Sequence, residues 1–594
     1  MRPPDRGGFA PTMMKSVRVL SITTAALSLL LALYACRSKP PVSASAPGSV
    51  PAAAGPARHA IVVAANPLAA QAGMRVLQAG GSAADAAVAM QAVLGLVEPQ
   101  SSGLGGGAFI TYYDAKKNQV LAYNGRETAP AGASVDMFLG DDRRPLSYAT
   151  AVLSGRSTGV PGAIAALALL QHKHGKLAWR ALFDDAERLA TDGFKVSPRL
   201  AGMITSAAPQ TAASDVVRYF TKGDGSRYKS GDLLMNPAYA ATLRRLAAEG
   251  PSALYKGRIA RDIVNRVHQG ELPGTLSLAD FARYRAIESP ALCRDWQQYR
   301  VCTPPVPAGG IGVLQGLLLL ANTDIAARAA DDALAWVELG EAQRLMYADR
   351  DRYVGDPAVV DVPVVGMLDP TYVKARAALI GKRIADSPPP PGQPPGAKLY
   401  GADHTAAPAG TTHLVIVDDN GNVLSMTTTV ESIFGSGRMV DGFFLNNQLT
   451  DFSFSPQESD GRPAANAVAP GKRPRSAMSP VIVFDRDGNF RAATGSAGGP
   501  AIIAYVLKTL LGTLDWHMSM QAAISLPNLI AHNDHFTAET AKFAPELLVG
   551  MSQLGLNPQP GQYEESGLQG VLAHADGSFE GGADPRREGV ALSY

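Results

Sequence analysis

Gly410-Thr411-Thr412-His413-Leu414-Val415-Ile416-Val417-Asp418, then Asp419-Asn420-Gly421, then Asn422-Val423-Leu424-Ser425-Met426-Thr427-Thr428-Thr429-Val430: this stretch decides how the chain is read. Two β-branched, largely apolar runs flank an Asn-Gly pair, the pattern of a hairpin. Two registers are open. A three-residue loop at 419–421 sets 418 opposite 422 and Thr411 opposite Thr429. A two-residue turn sets Thr412 opposite Thr429 instead. In the first register the Thr411 and Thr429 side chains share a face, with Cβ atoms about 4.5–5.5 Å apart.

What precedes the hairpin matters as much. Residues 386–396, DSPPPPGQPPG, hold six prolines and cannot form a helix or a central strand. An extended or flexible segment therefore runs up to Gly410. A Pro-rich tail ending in Gly, directly before a strand-opening Thr, has the form of a cleavage point. If the Gly410–Thr411 bond breaks, Thr411 gains a free α-amine that can take the proton of its own hydroxyl. The reference pKa of that amine, about 7.7–8.0, lies near working pH, so no separate base is required.

A second β-pair, Val481–Asp485 and Phe490–Gly495, flanks Asp487-Gly488, and Gly498-Gly499-Pro500 then leads into an apolar helical run. Pro suits a first helical position. Two glycines at a strand-to-helix junction let backbone N–H groups face a site, where the helix N-terminus adds positive potential, as an oxyanion hole requires. Arg126, in YNGRETAP, can clamp a carboxylate with two parallel bonds. Glu431, Gln448 and Asp451 follow the hairpin within one stretch and can hold an ammonium.

Elsewhere, residues 67–79 read as a helix broken by Gly80-Gly81. Ser82 and Asp85 have the spacing of a capping box opening a second, buried helix. Residues 108–113 and 118–123 read as strands, and 161–172, 236–249 and 309–321 as apolar helices. At 594 residues, length alone predicts three or four domains of about 100–200 residues each. Apolar residues at 46% support a large core, and a net charge of +2 supplies no field for nucleic acid. The mean hydropathy of +0.01 argues against a multi-span membrane protein. The three cysteines include no C-x-x-C pair, and His532 and His535 sit in a polar stretch, so a zinc site is not supported. Residues 103–108 precede a strand rather than a helix, the wrong setting for a dinucleotide loop. Residues 494–498 lack the first Gly of a nucleophile elbow.

Lys15 and Arg18 precede the apolar run 19–35, the layout of an export signal whose start is Met1 or Met14. Leu33-Tyr34-Ala35-Cys36 resembles a bacterial lipobox, which makes Cys36 a lipidation candidate. Tyr34 is unusual there, so ordinary cleavage or an uncleaved anchor stays open. Residues 1–36 are thus an export segment and 37–56 a Pro/Ala/Ser tether. In an oxidising compartment Cys293 and Cys302 form a disulfide or remain two buried thiols; both are open.

From about Ala57 to Tyr594 the chain resembles the γ-glutamyltranspeptidase family, also called glutathione hydrolases. The resemblance rests on GGSAADAAVA at 80–89, EPQSSGLGGGAF at 98–109, GRETAP at 125–130, GTTHLVIVD at 410–418, FFLNNQLTDFS at 443–453, GKRPRSAMSP at 471–480, TGSAGG at 494–499 and GGADPR at 581–586. It implies an α+β fold, a four-layer αββα sandwich of the N-terminal nucleophile hydrolase type, built jointly by two chains after autocleavage. The large chain would cover 57–410 and the small one 411–594, in one intertwined domain that replaces the length-based count. Thr411 would be the nucleophile for self-cleavage and for attack on a γ-glutamyl amide such as that of glutathione. Thr429 would support it, and Gly498 and Gly499 would donate to the oxyanion. Arg126 and Ser476 would hold the glutamyl α-carboxylate, and Glu431, Gln448 and Asp451 its α-ammonium. Water, an amino acid or a peptide would accept the acyl group, and no metal or organic cofactor is implied. The protein would be exported to a bacterial periplasm, touching membrane only through the lipid anchor.

Three departures bear on specificity. Glu431 stands where many members carry Asn, and in some members an acid stands instead at the position of Gln448. Ala477 replaces a common second Ser, removing one hydrogen bond worth about 0.5–1.5 kcal/mol or more to a charged group. The lid-loop segment 454–470 lacks the Tyr that gates some members, which favours hydrolysis over transfer. Two rivals follow: a same-scaffold acylase for cephalosporin or glutaryl amides, and an unprocessed, inactive surface lipoprotein that binds a peptide or partner.

Overall fold

The structure is a computed structural model that describes residues 59–401, 410–457, 461–561 and 566–594. The export segment with Cys36, the tether, and residues 402–409 of the tail before Thr411 lie outside the described residues.

Two antiparallel sheets form the centre. In chain order their strands are β1 (Ile61–Ala64), β2 (Gly107–Asp114), β3 (Gln119–Gly125), β4 (Ile287–Pro290), β5 (Leu292–Trp296), β6 (Tyr299–Thr303), β7 (Thr411–Val417), β8 (Val423–Thr429), β9 (Val481–Asp485), β10 (Phe490–Gly495), β11 (Gln569–Ala573), β12 (Phe579–Ala583) and β13 (Val590–Ser593). The first sheet runs β13-β1-β7-β8-β2-β3-β4 and the second β12-β11-β10-β9-β6-β5. Strands from before and after Thr411 share both sheets: β7 lies beside β1, β8 beside β2, and β9 beside β6.

The period-two pattern of the hairpin explains where the core sits. Leu414, Ile416, Leu424 and Met426 face one way, into an apolar cluster with helices Pro67–Gln78, Ala83–Val97 and Ala163–His174. Val415, Val417 and Val423 face the other way, into a cluster with Ile482, Phe484, Ala493 and Val571 of the second sheet. Beyond that sheet, Val481, Val483 and Ala492 pack on helices Gly310–Leu320, Ala333–Tyr353 and Ile502–Leu514. A buried strand needs apolar groups on both faces, and β7 is buried along its whole length.

Local signals resolve as follows. Ser82 and Asp85 form the capping box of helix Ala83–Val97. The predicted helix at 236–249 spans Pro237–Glu249 behind an Asn236 cap, and the strands at 108–113 and 118–123 become β2 and β3. Residues 386–396 carry neither helix nor strand. Cys293 and Cys302 lie opposite one another on β5 and β6 and form a disulfide. Pro500 is a difference. It sits in a 3₁₀ turn, Gly499–Ala501, and the α-helix begins only at Ile502. Among the described residues no helix is long and apolar enough to cross a membrane.

Candidate active site

Thr411 opens β7 and is nearly buried, and the hairpin takes the register that pairs it with Thr429. The Thr411 hydroxyl donates to Thr429 Oγ1 at 3.1 Å. Thr429 in turn donates to the carbonyl oxygen of Gly410 at 2.6 Å and accepts the backbone N–H of Glu431 at 2.7 Å. One hydroxyl therefore touches the Thr411 hydroxyl and the carbonyl on the other side of the Gly410–Thr411 bond. Arg587 fixes the Thr411 backbone from the other end, donating from Nη1 to its carbonyl at 2.7 Å.

Two residues along β7, His413 holds this strand against the second sheet. Its Nδ1 lies 2.9 Å from Thr427 Oγ1, and its ring fills the space at Gly495, where a Cβ would come within 2.3 Å of it. Burial pulls the imidazole pKa down to about 3, so the ring is neutral at working pH and acts as a spacer. Gly495 ends β10 and leads to Gly498 and Gly499, whose φ angles are 128° and 55°. A side chain at 498 would be strained by that backbone and would also strike the Tyr505 ring at 2.5 Å. The Tyr347 hydroxyl, from helix Ala333–Tyr353, donates to the next carbonyl, that of Pro500, at 2.7 Å.

The charged residues gather in one buried group. Arg126 is fully buried at the end of β3, and its Nη2 donates to Asp451 Oδ2 at 2.5 Å and to the Arg475 carbonyl at 2.7 Å. Its Nε donates to the Pro474 carbonyl at 3.1 Å. Gln448 Nε2 reaches the same Asp451 oxygen at 2.8 Å. The expected cationic and anionic clamps thus touch each other directly. Ser476 is buried one residue beyond this clamp, its Oγ accepting the Met478 N–H at 3.1 Å. Its carbonyl accepts from Arg350 Nη2 at 3.1 Å.

Glu431 completes the group in an unusual conformation. Its φ of 82° is rare for a long side chain and costs about 1–3 kcal/mol. Oε2 accepts from Ser432 Oγ at 2.7 Å, from Tyr148 Oη at 3.1 Å and from Asn447 Nδ2. Oε1 is buried without a partner among the described residues, and so is Gln448 Oε1. Burial, with the Asp451 carboxylate facing it, pushes the Glu431 carboxyl well above the usual carboxylate range. The lid-loop segment is tied to the same place. Asn466 donates to the Asp451 carbonyl at 2.6 Å and accepts the Arg475 N–H at 2.9 Å, while Phe454 stacks on Phe138.

The structure therefore gathers Thr411, Thr429 and Glu431 through direct bonds, and Arg126, Gln448 and Asp451 through another set. Arg350 and Tyr347 of one helix support Ser476 and the glycine turn. The sequence reading passed over Arg587, Tyr148, Ser432, Asn447, Tyr347 and Arg350. Two of these stood beside usable signals: Arg587 directly follows GGADPR, and Asn447 lies inside FFLNNQLTDFS.

With this geometry in hand, the family model described as Gamma-glutamyltranspeptidase matches residues 69–594. The chain belongs to the gamma-glutamyltranspeptidase family. It is 34% identical over 552 residues to the glutathione hydrolase proenzyme of Bacillus subtilis, covering 90% of this chain and 91% of that one. It is 30% identical over 544 residues to an acylase ACY 1 proenzyme of Pseudomonas sp., covering 90% and 93%. In fold it is like the cephalosporin acylase from Bacillus halodurans, with a TM-score of 0.76 at 24% identity, over 95% of this chain and 99% of that one. As a family member the protein is an enzyme of the γ-glutamyltransferase and hydrolase class.

Proposed function

We propose that the protein is a self-processing γ-glutamyl hydrolase and transferase acting on glutathione and related γ-glutamyl compounds. Thr411 Oγ attacks the Gly410 carbonyl carbon, the hydroxyl proton passes to the Thr411 nitrogen as the C–N bond breaks, and water hydrolyses the resulting ester. This leaves a Gly410 carboxylate and a free Thr411 amine. The Thr429 hydroxyl bound to the Gly410 oxygen supports this step, because it withdraws electron density from the carbonyl under attack. In the mature enzyme the Thr411 amine takes the hydroxyl proton, and Oγ attacks the γ-glutamyl amide carbon. The N–H groups of Gly498 and Gly499 bind the oxyanion. The amine leaves with that proton, and water or an amino acid or peptide takes the acyl group from Thr411.

One observation carries the substrate class. Among the described residues, Glu431 Oε1 and Gln448 Oε1 are buried acceptors without donors, near the acidic Asp451. Each such group costs about 1–3 kcal/mol until it is bonded. An α-ammonium, with three N–H donors and a positive charge, satisfies them together. Arg126 and Ser476 then take the α-carboxylate. The clustering of apolar side chains on both faces of both sheets supports the four-layer αββα arrangement of N-terminal nucleophile hydrolases, shared by segments 57–410 and 411–594 as two chains. Export to a periplasm with lipidation at Cys36 belongs to the same reading, as does a preference for water as acceptor.

A second reading, an acylase for glutaryl or cephalosporin amides, draws on the acylase relative and on a Glu431 carboxyl whose neutral form is favoured. Comparing L-γ-glutamyl and glutaryl p-nitroanilides separates the two. The loss of charge-assisted bonds to the ammonium predicts at least about tenfold higher kcat/KM for the γ-glutamyl substrate. A preference for the glutaryl substrate assigns the acylase reading, and turnover of neither overturns both.

A further inference from the structure

Tyr148 lies in the chain before Thr411, opening a short helix, Tyr148–Leu153, behind a Ser147 cap. Its ring packs against the apolar cluster of Phe138, Leu449, Phe452 and Phe454. Its hydroxyl leaves that cluster and enters the charged group. It lies 2.5 Å from Ser432 Oγ, donates to Glu431 Oε2 at 3.1 Å, and accepts from Asn447 Nδ2 at 3.2 Å.

Among the described residues, the donors to the Glu431 carboxyl meet one oxygen. Tyr148, Ser432 and Asn447 all bond Oε2, and Oε1 is buried without a partner among them. The other end of the residue is also fixed, since its backbone N–H donates to Thr429 Oγ1 from a positive-φ conformation. A residue in such a conformation persists only where its surroundings hold it. The side chain is therefore held at one oxygen, which fixes where the other sits.

We propose that Tyr148 is a specificity-determining positioning residue: by holding Glu431 Oε2 it aims Oε1 at the α-ammonium of the acyl donor, and so selects α-amino acyl groups over those without the amine. This rests on the reading above, in which Glu431 faces that ammonium. The titratable and charged groups around Glu431 are Asp451 on the Gln448–Asp451 turn, Arg126 bonded to Asp451, and Tyr148 itself. The hydroxyl favours the charged carboxylate, while burial and Asp451 oppose it. Removing it therefore moves the ionisation of Glu431 to higher pH.

The test is Tyr148→Phe in the cleaved enzyme, beside Ser432→Ala, which breaks the same chain of bonds at its second link. With the L-γ-glutamyl anilide, KM should rise about tenfold with kcat changed less than about twofold, the scale of one bond to a charged group. KM for the glutaryl anilide should stay within about twofold, and the acidic limb of the γ-glutamyl KM profile should move to higher pH. Ser432→Ala should shift KM in the same direction. Equal losses with both anilides, or an unmoved KM and pH limb in both variants, would overturn the role of Tyr148. A parent enzyme with no γ-glutamyl preference would instead overturn the reading on which it rests.

Discussion

Glu127, next to the buried Arg126, shows how much single residues carry here. It is fully buried, both carboxyl oxygens lack a hydrogen-bond partner among the described residues, and the nearest cation is Arg126 Nη1 at 3.9 Å. Burial pushes its carboxyl up to about 8, against the pull of Arg126. An acid raised in the folded state binds its proton more tightly there than in the unfolded chain. Its contribution to stability is present below the unfolded value near about 4.3 and is lost as pH rises through the folded one. The unfolding free energy of the parent should therefore fall by on the order of 1 kcal/mol per pH unit between about pH 5 and about pH 8, and its Tm should fall more steeply over that range than that of Glu127→Gln. Parallel Tm profiles would contradict this. At this scale legibility in the sequence follows distance along the chain. Thr411 and Thr429 share a hairpin, and counting loop residues leaves two registers, one of which brings them together. Arg587 bonds the Thr411 carbonyl from 176 residues away, and Tyr148 reaches Glu431 across 283. No local pattern reports such contacts.

Among the elements, helix Ala333–Tyr353 joins the two halves of the site. Tyr347 holds the Pro500 carbonyl next to the glycine turn, and Arg350, one turn on, holds the Ser476 carbonyl next to the head-group clamp. Asp351 braces the same end, 2.7 Å from His532 Nε2 and 3.0 Å from Arg350 Nη1. The two supports act on different steps. Tyr347→Phe should lower kcat about three- to tenfold with little change in KM, because it loosens the glycine turn proposed to bind the oxyanion. Arg350→Gln should mainly raise KM, by a similar factor, because it loosens Ser476. Steady-state kinetics on the γ-glutamyl anilide checks the split, and equal effects on both constants in both variants would contradict it. The sequence hides this helix because it buries Glu338, Glu341, Arg344, Asp349 and Arg350 as well as apolar groups, so no apolar stripe stands out. The hairpin, by contrast, was legible from its Asn-Gly turn. The start of helix Ile502–Leu514 was misplaced because Pro500 suits a 3₁₀ turn as well as a first α-helical position.

At the scale of the whole molecule, length predicts several domains, yet the described residues cluster as one compact unit. The reason lies in the strand order. β1 of the early chain sits between β13 and β7 of the late chain, and in the second sheet β6 of the early chain pairs with β9 of the late one. Neither segment owns a complete sheet, so cleavage at Gly410–Thr411 would leave two chains held by shared strands and a shared core. Composition and length cannot report such interleaving; the order of motifs along the chain can. The central claim is that Thr411 cuts the chain before itself and then serves as nucleophile. The intact mass of purified protein lacking residues 1–36, measured beside Thr411→Ala, tests it most directly. The account predicts two fragments from the parent, one ending at Gly410 and one beginning at Thr411, and a single uncut chain from the variant. A single uncut parent, or a variant that is cut at the same bond, would contradict it.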